Sequence, residues 1–114
     1  MNKVTYIDKV DAGQVKVEEN STVQFTGETD RVYKDGAKNG NLLIINDTIQ
    51  VKGSSSMADA VIWNPWQSKA KASADIGEEN YPKFVCVEIG HVWEPVKLES
   101  GQTWVGFQEL TLLK

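Results

Sequence analysis

Residues 84–88, Phe-Val-Cys-Val-Glu, put apolar side chains on both sides of an extended chain. Alternation along a strand sends Phe84, Cys86 and Glu88 to one face and Val85 and Val87 to the other. A strand apolar on both faces expects cover on each, as a central strand in a layered sheet has. One small layer does not supply that cover. Glu88 shares its face with apolar neighbours, so its carboxylate must be paired, lie at the strand end, or rise in pKa. It is the most conspicuous titratable group in the chain.

The remaining periodicity is also that of strands. Thr48–Lys52 alternates with Ile49 and Val51 on one face, and follows the apolar run 41–45 across Asn46-Asp47. That pair tolerates positive φ and predicts a hairpin turn. Further strands are expected at 4–8, 14–19, 30–34, 58–63, 83–89, 91–99 and 103–113. Turn chemistry is expected at 38–41, 53–57 and 99–102. Residues 67–75 are expected to make one or two helical turns, capped by Gly77. There is no internal repeat. The reading is an all-β chain, an antiparallel sandwich, forming one domain over residues 1–114.

A length of 114 residues suits one domain. The net charge is −4 and the twelve basic residues are scattered. Nucleic acid and anionic membrane are therefore not expected partners, since both favour a clustered basic face. The N-terminal residues have no apolar run of signal-peptide length and no stretch approaches a membrane span. Cys86 is the single cysteine. A reducing, cytoplasmic location is the expectation. One histidine and one cysteine do not make a metal-ligand cluster, and no cofactor-binding loop is present, so neither metal nor cofactor is expected.

Residues 61–90 then carry a more specific signal: Trp63-Asn64-Pro65-Trp66, a Lys/Ala/Asp stretch from Lys69 to Gly77, and Cys86-Val87-Glu88. This block resembles the hexose-6-phosphate mutarotases (glucose-6-phosphate 1-epimerases) of the galactose-mutarotase-like superfamily. Residues 6–11, 27–33 and 98–110 resemble further segments of that family, in its order. The resemblance covers nearly the whole chain but only the C-terminal portion of the family's members. It implies a β-supersandwich fold and the interconversion of α and β anomers of a hexose 6-phosphate by ring opening and closing. That chemistry needs a base for the O1 proton and an acid for the ring oxygen O5. By resemblance Glu88 is the base, Asp30 binds sugar hydroxyls, and Trp63, Asn64 and Trp66 line or support the pocket.

The departures bear on competence. The family's acid is a histidine in an upstream motif that this sequence does not contain. His91, the only histidine, stands three residues from Glu88, which on a strand points it to the opposite face. The arginines that hold the phosphate are also upstream in the family, and Arg31 is the only arginine here. Without the resemblance, Glu88 reads as a surface glutamate, the tryptophans as packing, Asp30 as half of an exposed ion pair, and Cys86 as a small apolar residue. The alternative to an epimerase is a catalytically incomplete carbohydrate-binding module or fragment. A sandwich cut in two leaves an exposed sheet edge, so a homo-oligomer formed through that edge is expected as well.

Overall fold

The computed structural model describes residues 3–38 and 43–114. Among these described residues, eight strands form two antiparallel sheets. The five-stranded sheet runs β2 (Gln14–Glu18), β1 (Val4–Asp8), β3 (Thr29–Tyr33), β6 (Asp59–Asn64), β7 (Cys86–Gly90). The three-stranded sheet runs β4 (Leu43–Ile45), β5 (Ile49–Gly53), β8 (Gln108–Leu112). One short helix, α1 (Trp66–Ala72), and a 3-10 turn at Tyr81–Lys83 lie between β6 and β7. The fold is an all-β antiparallel sandwich.

The core forms where the two sheets meet. Tyr6, Tyr33, Ala60, Ile62 and Ile89 from the larger sheet close on Leu43 and Val51 from the smaller one. The Tyr6 and Tyr33 rings lie 5.0 Å apart. β7 crosses β5 so closely that a Cβ on Gly53 would stand 2.5 Å from Ile89 Cγ2 and 2.4 Å from the Met57 carbonyl. Glycine is therefore required there by space rather than by φ.

Asn46 and Asp47 both adopt positive φ, 47° and 55°, and Thr48 N–H closes the turn on the Ile45 carbonyl at 2.9 Å. This is the hairpin geometry that matches strand twist. Gly101 (φ 81°) turns the chain at 99–102. The turn expected at 38–41 falls largely outside the described residues.

Three expectations need correction. Residues 84–88 are not a covered central strand: β7 begins only at Cys86 and is the edge of its sheet. Pro82 and the 3-10 turn hold Phe84 and Val85 out of the ladder, and the Phe84 carbonyl is taken by a side chain. Residues 91–99 and 103–107 form no strand. They make an arm joining β7 to β8, exposed except at Trp93 and Gly106, and Pro95 removes an N–H from one limb. The helix ends at Ser73 rather than near Gly77, which instead closes the following turn at φ 79°.

Candidate functional site

Strand register decides which side chains meet. Asp30 pairs with Trp63, and Trp63 with Cys86, so these three form one cross-strand row. The adjacent row on the same face runs Val15, Ile7, Val32, Val61, Glu88. Asp30, Trp63 and Glu88, far apart in sequence, thus occupy one face of the five-stranded sheet, turned away from the sandwich core. Two strand spacings and two residues of rise separate the Cα atoms of Asp30 and Glu88 by about 12 Å.

Glu88 is exposed on the edge strand, which resolves its placement among apolar neighbours by the solvated option. Trp63 is half-buried, with the Phe84 ring 6.2 Å away and tilted. Asp30 holds an ion pair with Lys9 at 3.3 Å. Nearby, Lys69 is bonded to Glu28, and that bond, with the field of Asp30, raises the Lys69 pKa. Cys86 is half-buried; burial pushes its thiol pKa up and the Glu88 carboxylate adds to the effect. Together these two effects keep it a thiol rather than a nucleophile.

Asn64 and Trp66 are placed differently. Alternation turns Asn64 to the opposite face, where it is 2% exposed. Its Nδ2 donates to the carbonyls of Tyr81 (2.8 Å) and Phe84 (2.9 Å), while its Oδ1 accepts from Trp66 N–H at 2.9 Å. Trp66 sits at φ 60°, a conformation unfavourable for a bulky side chain, with its ring 4.9 Å from Tyr81. Asn64 therefore ties together the end of β6, the start of α1 and the approach to β7. The fully buried Pro65 lies between the two.

Two polar clusters escaped sequence reasoning. Asp59 opens β6 and is buried; it accepts backbone N–H groups from Asp35 (2.9 Å), Val92 (2.9 Å) and Trp93 (2.8 Å). Burial opposes its ionisation, but these three donors outweigh it and hold the carboxyl below its usual range. The other cluster lies on the core-side face, where Arg31 donates to Glu18 (3.4 Å) and Tyr33 (3.2 Å) and stacks over Tyr6 at 4.8 Å. Tyr33 in turn donates to Glu18 at 3.2 Å. A cavity of about 530 Å³ opens beside this cluster, lined by Tyr6, Glu18, Asn20 and Arg31. Arg31 is thus on the face opposite Glu88. No signal for either cluster exists in spacing or composition, because both depend on register and chain reversal.

His91 follows β7 and is exposed. Among the described residues no group of three His, Cys, Asp or Glu is placed to hold a metal ion, and no helix is long and apolar enough to cross a membrane.

Comparison with known proteins adds an independent line. Two similar proteins are both named "Putative glucose-6-phosphate 1-epimerase". One, from Cenchrus ciliaris, is 33% identical over 93% of this chain; the other, from Escherichia coli strain K12, is 30% identical over 82%. In both cases the match spans 32% of the relative's length. Residues 3–111 match the profile described as Aldose 1-epimerase. That match takes in all eight strands apart from the last residue of β8, and with them the face bearing Asp30, Trp63 and Glu88, so the chain belongs to the aldose 1-epimerase family.

Proposed function

We propose that this chain carries the base-bearing sheet of a hexose-6-phosphate 1-epimerase site. The observation that supports it is the register placing Asp30 and Trp63 beside Glu88 on one open face. In this reading the Glu88 carboxylate takes the O1 proton as the C1–O5 bond breaks, and returns it to the same oxygen when the ring recloses on the other face of C1. Asp30 accepts sugar hydroxyls, and the flat Trp63 ring suits the C–H face of a pyranose. Trp66 supports the pocket end, and Asn64 acts through the backbone that it holds.

Ring opening also needs a proton delivered to O5. His91 lies beyond β7 and exposed, so the chain pairs a base with no acid among its described residues. This favours a second reading for the 114 residues taken alone, a carbohydrate-binding module that does not turn its sugar over. The partners in either case are a hexose 6-phosphate and further copies of the chain through its sheet edge, in a reducing cytoplasm.

Magnetisation-exchange NMR on glucose 6-phosphate, run beside a tryptophan-fluorescence titration, separates the two. The expected result is a saturable fluorescence change without mutarotation above the buffer rate, because loss of one acid–base partner removes roughly 10²–10⁴-fold of rate. Acceleration that disappears in Glu88→Gln would establish the epimerase in the isolated chain. Absence of any sugar-dependent signal would overturn both.

A further inference from the structure

A third tryptophan stands near Glu88, outside the block that carries Trp63 and Trp66. Alternation along β6 sends Asp59, Val61 and Trp63 to the outward face of the five-stranded sheet. Val61 pairs with Glu88, and Asp59 with Gly90 one row further on. The row of Asp59 therefore flanks the row of Glu88 on the side opposite Trp63. On β3 the same row continues at Lys34, whose N–H extends the ladder to the Thr5 carbonyl at 2.9 Å.

The chain returns to this row after β7. Asp59 Oδ2 accepts the N–H groups of both Val92 (2.9 Å) and Trp93 (2.8 Å), which fixes the Trp93 backbone on the outward side of the sheet. The Trp93 ring lies 5.4 Å from Lys34 Nζ, and Glu94 pairs with the same ammonium at 3.8 Å. Trp93 is half-buried while its neighbours on the arm are exposed. Between the flanking rows, Val32 is 7% exposed yet does not belong to the core between the sheets. The smaller sheet packs on the other face, so the burial of Val32 comes from side chains rising around it. Val32 and Val61 are thus a floor with walls. Along β6, Trp63 and Asp59 stand about 13 Å apart, with Val61 midway. One tryptophan belongs to the strand at one end of that span, and a second is tethered at the other.

We propose that Trp93 is a second aromatic wall of the sugar site. A pyranose set over Val61 has Trp63 on one side, Trp93 on the other and Glu88 at its edge. Indole rings suit the C–H groups of such a ligand, while the carboxylates of Asp30 and Glu88 accept its hydroxyls. The inference rests on reading this face as a sugar site, and it adds a contact from outside the strands that carry Asp30, Trp63 and Glu88. The two hydrogen bonds from Asp59 hold the first turn of the arm where that contact requires it.

NMR of the indole N–H groups tests it on the intact chain, each resonance being assigned by its loss in a Trp→Phe variant. On titration with glucose 6-phosphate, the Trp63 and Trp93 resonances should shift together and saturate at one concentration. Both rings should also show intermolecular Overhauser effects to sugar C–H protons, which a tryptophan that only anchors the arm does not give. Trp93→Ala should raise the dissociation constant about fivefold, and Trp93→Phe, which keeps a flat ring, no more than about twofold. A Trp93 resonance that stays still while Trp63 shifts and saturates overturns the proposal and leaves the sugar site standing. Unchanged affinity in Trp93→Ala does the same. No shift at any indole removes the sugar site, and this inference with it. The resonance readings come from the parent chain, so they decide the matter even where Trp93→Ala does not fold.

Discussion

Asn64 joins three chain segments with one side chain, and its removal has a calculable consequence. Asn64→Ala leaves the Tyr81 and Phe84 carbonyls without their donor, and each such loss typically costs about 1–3 kcal/mol. A destabilisation of about 3 kcal/mol is therefore expected in urea unfolding, with the near-ultraviolet signal of Trp66 weakened in the native state. Glu88→Gln, by contrast, changes an exposed side chain and should stay within about 0.5 kcal/mol of the parent. Any loss of sugar response in that variant then belongs to the site and not to folding. Asp59 makes the acid limb of stability informative. Its folded pKa lies below the unfolded value near 3.8, so its contribution is complete above that pH and is lost as pH falls through the folded pKa. Asp59→Asn should flatten the acid end of a stability-against-pH curve while leaving the alkaline end unchanged. A curve that keeps its full acid slope would assign that slope to Asp8, whose carboxyl is lowered as well, chiefly by Lys16 against the opposing effect of burial.

At the scale of elements, the Asn46-Asp47 turn is the simplest to perturb. Both residues occupy the left-handed region, where glycine has no side-chain penalty. Asp47→Gly should stabilise the β4–β5 hairpin by about 0.5 kcal/mol, read as a rise in the thermal midpoint of a few degrees. This turn and the strands around it were legible in the sequence, because Ile49 and Val51 alternate and the Asn-Asp pair announces positive φ. β1, β2, β3 and β6 were legible for the same reason. Residues 84–88 misled because apolar character on both faces does not distinguish a central strand from an edge strand packed over a second sheet. Alternation within 91–107 misled because a strand needs a neighbour, and these residues form no ladder. The candidate site divides similarly. Glu88, Asp30 and Trp63 were identified through family resemblance, but their common face depends on the β3–β6–β7 register, which a sequence does not display. The role of Asn64 was hidden too, since its partners are backbone carbonyls 17 and 20 residues away.

At the scale of the whole molecule, the core between the two sheets carries a tyrosine with useful optics. Tyr33 has no exposed surface, and burial first, with the adjacent Glu18 carboxylate, pushes its pKa up to about 12 despite the bond from Arg31. In the unfolded chain the phenol ionises near 10. Its contribution to stability is therefore complete below pH 10 and is lost as pH rises towards 12. After a jump to a pH between these values, the Tyr33 phenolate should form only as the two sheets part, and Tyr33→Phe should remove its share of the slow absorbance rise. Delayed colour in an alkaline solution thus becomes a stopwatch for sheet separation, running without any attached label.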